Sequence, residues 1–365
     1  MISIREVTEY LEAWAPRAWQ EDYDNSGLLT GSPNTPVRGI LLSLDCTEGV
    51  VKEAIELGCN LIIAHHPVIF KGLKKLTGQS YVERTIISAI KNDVAIYAIH
   101  TNLDHVRTGV NKKIADKIGL RQQSILLPRK DTLGKLVTFV PATHAEQVAA
   151  ALHAAGAGNI GNYKDCSFQI DGEGTFRPTA DANPFLGQAG QLERVAEKRI
   201  EVIFPIHLED ALLRALRQAH PYEEVAYYLQ RLTNENQDVG AGLVGDLEEP
   251  EEPIAFLQRL KTVMQAACIR HTPSAGKSIK RVAVCGGAGS FLLPHAIRAG
   301  ADVLVSADFK YHEFFDADGR IMVADIGHYE SEQFTKDLIG EVLREKFTTF
   351  AINFSKQVTN PLSYL

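Results

Sequence analysis

Residues 39–67, GILLSLDCTEGVVKEAIELGCNLIIAHHP, decide the fold of this chain. Gly39 to Leu44 reads as a buried strand, Thr47 to Leu57 as a helix stopped by Gly58, and Asn60 to Ala64 as a second apolar strand. A strand, a helix and a strand in this order form a βαβ unit. Strands that are apolar on both faces belong to a parallel sheet covered on both sides. His65 and His66 close the second strand. The carboxyl ends of parallel strands are where an open α/β sheet presents its functional groups, and imidazole is the commonest protein metal ligand.

Outward from this unit, apolar spacing predicts an opening helix over Ile4 to Trp14, a polar loop at Asp22 to Gly27, a helix over Val82 to Lys91 and a strand over Val94 to Ile99. The C-terminal part repeats the plan, with a strand at Arg281 to Cys285, a helix at Phe291 to Ala299 stopped by Gly300, and a strand at Asp302 to Ser306. Ala54-Ile55-Glu56-Leu57-Gly58 aligns without a gap on Ala296-Ile297-Arg298-Ala299-Gly300, and the strands that follow stay in register. A second match sets His100-Thr101-Asn102-Leu103-Asp104 beside His328-Tyr329-Glu330-Ser331-Glu332. This agreement in order and spacing predicts an α/β fold of two related halves.

Between the halves the texture changes. Strands at Leu136 to Val140, Ser167 to Arg177, Arg199 to Phe204 and Glu224 to Leu232, with helices at His144 to Ala154 and Leu208 to Gln218, follow the order β-α-β-β-α-β. That order predicts a ferredoxin-like α+β insertion over residues 130–238, interrupting a discontinuous α/β domain made of 1–129 and 239–365.

The 365 residues carry 38 basic and 45 acidic side chains, a formal charge of −7. A general nucleic-acid binder shows a basic excess or stripe, so none is expected. No apolar run nears the ~18 residues of a membrane span. The charged first helix, with Arg5, Glu6, Glu9 and Glu12, does not read as a secretory signal. Five cysteines without a CxxC pair read as reduced thiols, most of them filling the core, and the expected location is cytoplasmic.

Three apolar strands end in potential ligands. The first ends at His65 and His66, the second at His100 with Asp104 beyond it, and the third, Ile321 to Ile326, at His328 with Glu332 beyond it. In a parallel sheet such ends share one rim. Four residues apart, His328 and Glu332 share a face if a helix starts there. Mixed imidazole and carboxylate donors suit zinc first, then manganese, iron or cobalt, over calcium or magnesium. Five candidate ligands, His65, His66, Asp104, His328 and Glu332, exceed what one tetrahedral ion needs. A carboxylate can bridge two ions about 3.5–4 Å apart. The expectation is therefore two divalent metal ions that activate water and attract phosphate. His100 and Asp308 are expected to support the ligands by hydrogen bonds. The turn Cys285-Gly286-Gly287-Ala288-Gly289-Ser290 reads either as a phosphate cradle or as a tight turn, and Lys71, Lys74 and Lys75 as a solvated basic loop.

These residues resemble the NIF-three-like proteins, a family commonly called GTP cyclohydrolase 1 type 2 homologs. The resemblance runs over nearly the whole chain. It is carried by Asp24-Asn25-Ser26-Gly27-Leu28, Leu44-Asp45-Cys46-Thr47, Ala64-His65-His66-Pro67, His100-Thr101-Asn102-Leu103-Asp104, Lys310-Tyr311-His312 and Gly327-His328-Tyr329-Glu330-Ser331-Glu332. It implies a dinuclear metal site on His65, His66, Asp104, His328 and Glu332. It also implies a PII/CutA-like insertion that includes Ala219-His220-Pro221-Tyr222-Glu223-Glu224, and self-association as a toroidal homohexamer. Ser306-Ala307-Asp308 departs from the Gly-Asp pair of many relatives but keeps the acid.

The function expected is that of a metal-dependent hydrolase acting on a nucleotide or another phosphate-bearing small molecule, with His100 or His312 moving protons. The alternative is a metal-binding regulatory or scaffold protein whose insertion senses a ligand. Ring opening of GTP rests on the family's name alone, because a fold and a site do not transfer a substrate.

Overall fold

The computed structural model describes residues 1–274 and 276–365. It contains two compact units, one of residues 1–128 with 238–365 and one of residues 129–237. The chain opens with α1 (Ile4–Trp14), β1 (Gly27–Thr30), β2 (Gly39–Ser43), α2 (Glu48–Glu56), β3 (Leu61–Ala64), α3 (Tyr81–Lys91), β4 (Ala95–Ala98), the short α4 (Thr101–His105), α5 (Val110–Ile118) and β5 (Arg121–Arg129). Local chemistry sets these bounds. Ser3 and Glu6 form a capping box on α1, and Thr47 and Ser80 accept backbone N–H groups at the starts of α2 and α3.

The unit of residues 129–237 holds β6 (Leu133–Pro141), α6 (Ala145–Ala154), β7 (Phe168–Phe176), β8 (Glu193–Pro205), α7 (Glu209–Ala219) and β9 (Tyr227–Leu232). Its strands form one antiparallel sheet in the order β7-β8-β6-β9. With its two helices this is the ferredoxin-like arrangement. Val148 and Leu152 of α6 and Leu212 and Leu216 of α7 pack on Leu136, Ile200, Val202 and Phe204. β8 begins at Glu193, well before the apolar stretch that announces it, because its polar first half pairs with β7 from Glu193↔Phe176 onward. Pairing with a neighbour, not burial, holds that half in place.

The chain returns through β10 (Asn236–Glu251), α8 (Pro253–Val263), β11 (Arg270–His271), β12 (Ile279–Ala288), α9 (Leu293–Arg298), β13 (Val303–Ala307), β14 (Met322–Asp325), α10 (His328–Glu332), α11 (Thr335–Lys346) and β15 (Ala351–Phe354). One sheet of the larger unit has the order β1-β4-β3-β2-β15 and the other β11-β14-β13-β12-β10-β5. β4, β3, β2 and β15 run parallel, as do β14, β13 and β12. β1 and β11 are antiparallel edges.

Strand alternation sorts the side chains into layers. Ile40, Leu42, Leu61 and Ile63 of one sheet share a core with Val282, Val284, Val303 and Val305 of the other. Leu41, Ile62 and Ile96 face α2 and α3, and Ala283, Leu304 and Val323 face α9. Truncating a fully buried leucine or isoleucine in such layers to alanine costs about 2–5 kcal/mol.

The internal repeat is physical. Leu42 pairs with Ile63 as Val284 pairs with Val305. Gly58 and Gly300 end their helices with φ of +69° and +70°. Their N–H groups donate to Ile55 and Ile297, each at 3.0 Å, and the next residues, Cys59 and Ala301, donate to Ala54 and Ala296 at 2.9 and 3.0 Å. Only a glycine enters this left-handed turn without strain. Among the described residues no helix is long and apolar enough to cross a membrane.

Candidate metal centre

Ala64 ends β3 between Ser43 of β2 and Ala98 of β4. His65 and His66 therefore emerge at the rim beside the ends of both neighbours. His65 is fully buried, at 0 % exposure. Its Nδ1–H donates to the Ile99 carbonyl, just past β4, at 2.8 Å. The Nδ1–H of His66 donates to Asp45, just past β2, at 2.8 Å. His100 caps α4, and its Nδ1–H donates to Asp24 at 2.7 Å. Asp24 also accepts the Thr101 N–H at 3.0 Å and the Ser26 hydroxyl at 3.1 Å.

On the second sheet, buried Asp325 accepts the Phe309 N–H at 3.0 Å and the Gly327 N–H at 3.1 Å. One carboxylate thus ties the exits of β13 and β14 together. The result sets Asp308 against His328, whose Nδ1–H donates to it at 2.7 Å. The first turn of α10 then carries Glu332 back beneath His328.

All four rings therefore commit Nδ1–H to an acceptor, which leaves each Nε2 for the interior. Ligating histidines are fixed in this manner. The Nε2 atoms of His66 and His328 lie 2.9 and 3.1 Å from Glu332 Oε2 and 3.4 Å from each other. His65 Nε2 is 3.5 Å from Asp104 Oδ1 and 3.9 Å from Glu332 Oε1. His65 Nε2 and Asp104 Oδ1 are buried without a hydrogen-bond partner. The potential donor atoms fall into three overlapping groups, each within 4.8 Å: His65, His66 and His100; His66, His328 and Glu332; His65, Asp104 and Glu332.

The electrostatics follow from the packing. Burial opposes the His66 imidazolium, but Asp45 and Glu332 outweigh it and raise the group to about 10. Against the same burial, Glu332 and Asp308 raise His328 to about 11. Burial and the charge of Glu332 push Asp104 up to about 7. Glu332 itself is held well below the usual carboxylate range, because His328 and its imidazole neighbours overcome the effect of burial. Protons on imidazoles thus balance the buried carboxylates where no metal is present. Such donors can exchange those protons for metal cations.

The glycine turn after Val284 resolves as a tight turn. The Gly286 N–H donates to Asn111 and the Gly287 N–H to Ser331, both at 2.9 Å, so neither is offered to a phosphate. A Cβ on Gly287 would stand 2.6 Å from Glu332 Oε1, and φ there is +60°. The turn makes room for the shared carboxylate. Beside it Cys285 is buried, and burial with the charges of Asp104 and Glu332 pushes its thiol far up, so it stays protonated. Cys59 sits in the core, where its sulfur accepts from Asn353.

A cavity of about 610 Å³ opens on the centre, with His66, His100, Asp104, His328 and Glu332 in its wall. Tyr23 and Phe70 belong to the same wall, their rings stacked at 6.3 Å and 20°. His312 is not in that wall. It is exposed on the 3-10 helix Tyr311–Ala317 that follows β13, with its ring against Tyr311 and Phe315. Lys71, Lys74 and Lys75 are all exposed. From the sequence, Asp24 stood out only in the polar loop and a family motif, and Asp45 only in a family motif. For Asp45 the available signal was an acid just past a strand end on the rim that carries the histidines.

The family model DUF34/NIF3 (NGG1p interacting factor 3) matches residues 2–361. The GTP cyclohydrolase 1 type 2 homolog of Halalkalibacterium halodurans is 40 % identical over 365 residues, which cover 98 % of either chain. That of Bacillus subtilis is 38 % identical over 367 residues, covering 99 % of this chain and 98 % of the relative. The crystal structure of a Bacillus cereus protein related to NIF3 matches with a TM-score of 0.87 and 38 % identity, covering 100 % of this chain and 99 % of that one. By sequence and by fold, the chain belongs to the DUF34/NIF3 family.

Proposed function

We propose that two divalent metal ions, zinc first among the candidates, bind at this centre and that the protein hydrolyses a phosphate-bearing small molecule there. His65, Asp104 and Glu332 would hold one ion, and His66, His328 and Glu332 the other. The observation that carries this reading is the sharing of Glu332 by two donor triads whose members lie within 4.8 Å of one another. The fit is supported by the buried, unpartnered His65 Nε2 and Asp104 Oδ1, which protein groups leave unsatisfied. When bound, such a pair supplies Lewis acidity, a lowered pKa for water and neutralisation of phosphate oxygens.

The chain's own residues do the rest. Asp45, Asp308 and the Ile99 carbonyl orient the rings and fix their tautomers. His100, held by Asp24 and facing the cavity, handles the proton in this reading, and the exposed His312 does not. The stacked Tyr23 and Phe70 give the cavity a flat wall that suits a nucleobase or another ring. A cavity that opens on the donors favours catalysis over a closed structural pair of ions. The test is protein stripped of metal, reloaded with single metals and screened against phosphorylated small molecules. Turnover that disappears on chelation and in Asp104→Ala and Glu332→Ala supports the reading. Turnover that survives all three overturns it.

A further inference from the structure

The ferredoxin-like unit holds a second cavity, of about 520 Å³, that the metal centre does not use. Its wall is aromatic, with Phe139, Phe176, Phe185, Tyr222 and Tyr228. The Tyr222 ring lies 5.7 Å from Phe176 and 6.3 Å from Phe185, and Phe139 meets Tyr228 edge-on at 5.5 Å. Glu197 of β8 belongs to the same wall and is only 9 % exposed. Its Oε1 accepts the Tyr222 hydroxyl at 3.0 Å. Gly174 of β7 admits the other oxygen, since a Cβ there would stand 2.0 Å from Glu197 Oε2.

Among the described residues, no lysine or arginine pairs with this carboxylate. Its neighbours in β8, Lys198 and Arg199, pair with Asp171 and Glu201. Arg177, also in the wall, donates to the Gly190 carbonyl at 2.9 Å. His220 is fixed as a neutral ring, because its Nε2–H donates to the Phe139 carbonyl at 2.9 Å while Nδ1 accepts the Tyr222 N–H at 3.1 Å. The remaining acids of the wall add negative charge. Glu173 is bound by Arg194, Glu223 accepts the Asn183 N–H at 2.8 Å, and Glu224 lies beside it.

A carboxylate taken out of water without a cationic partner is costly. Aromatic faces carry a negative quadrupole that attracts cations, most strongly where water is excluded. Both features select the same ligand class. We propose that this cavity binds a small organic cation, an ammonium or guanidinium group on an apolar body. The charged head sits on Glu197 and the body lies against Tyr222, Phe176 and Phe185.

The test titrates the full-length protein with phenethylammonium, agmatine and tetramethylammonium, and with phenethyl alcohol as the neutral control, by calorimetry and tyrosine fluorescence. At least one of the cations is expected to bind about tenfold tighter than the alcohol, or better. Glu197→Gln keeps an acceptor for the Tyr222 hydroxyl and removes the charge. It is expected to weaken the cation by about tenfold and leave the alcohol unchanged. Phe185→Ala, at a half-exposed loop position, alters the wall without touching the sheet, so it reports even if the Glu197 variant fails to fold. It is expected to weaken the cation without changing the melting temperature. Equal affinity for cation and alcohol, no cation bound at millimolar concentration, or a cation affinity indifferent to both substitutions overturns the proposal.

Discussion

The two halves of the larger unit share a frame and diverge at its rim. β2-α2-β3 and β12-α9-β13 have the same strand register, the same glycine-ended helices and the same turn hydrogen bonds. Past the second strand, the first half places His65 and His66 where the second places Ala307 and Asp308. Past the first strand, Asp45 of the first half corresponds to Gly287 of the second. Asp45 grips His66, while Gly287 gives space to Glu332. At this position one half supplies an acid that holds an imidazole, and the other supplies room for a carboxylate. A duplicated scaffold has thus become one asymmetric site, because the frame is set by backbone geometry and the rim by single side chains.

The sharpest way to break this comparison is at the shared carboxylate. Glu332→Gln should lose both ions, whereas Asp104→Asn should keep one, as read by metal analysis of purified protein. Activity in the Glu332 variant should fall by more than the roughly 10–100-fold expected from loss of an outer residue. Equal metal content in the two variants would remove the sharing of Glu332.

The holding acids come next. Asp45→Ala and Asp308→Ala should each weaken metal binding by about 10–100-fold in chelator competition, since each frees the Nδ1 of one ring. An effect confined to Asp45→Ala would leave the second half without an orienting role. Gly287→Ala should lower metal affinity by crowding Glu332 and destabilise the fold by about 1–3 kcal/mol in denaturant melts, because φ there lies in the left-handed region.

The centre also predicts a pH dependence. In the metal-free fold His66 and His328 are raised above the ordinary 6.5. The stability they contribute is present below 6.5 and is lost as pH rises through about 10 and about 11. Asp104, raised from its ordinary 3.8 to about 7, has the same sign, but its part is lost between those two values, below the window of the histidines. The melting temperature of chelated protein should therefore fall as pH rises above neutrality, and the gap to metal-loaded protein should widen. A gap that narrows would contradict the charge balance described above.

The smallest effect belongs to the frame. Gly58→Ala and Gly300→Ala should cost about 1 kcal/mol each, and about equally, because both glycines have the same φ and open space around the missing Cβ.

Much of this was legible in the sequence. The βαβ order, the repeat and the ferredoxin-like insertion follow from apolar periodicity and glycine stops, which act over short stretches of chain. Placing His65, His66, Asp104, His328 and Glu332 on strand ends needed only those strands and the rule that parallel strands share a rim. Less was visible where partners lie far apart in sequence. The first half of β8 is polar and is held by pairing with β7, so no periodicity announced it. His100 and His312 looked alike as single residues, yet only His100 reaches the cavity.

By itself the sequence determined the repeated β2-α2-β3 and β12-α9-β13 units, the elements of the insertion, and that ligand-type residues crowd the strand ends; it did not announce β1, β5, β10, β11 or β15. The features it determined depend on local propensity and period, which neighbouring residues decide. Only the tertiary structure decided that Glu332 serves two triads, that four Nδ1 atoms are committed to Asp45, Asp308, Asp24 and Ile99, and that Gly287 makes space for a carboxylate instead of cradling a phosphate. Each of these is a contact between residues brought together by sheet register and by the packing of two sheets, and direction in space is not written in spacing along the chain.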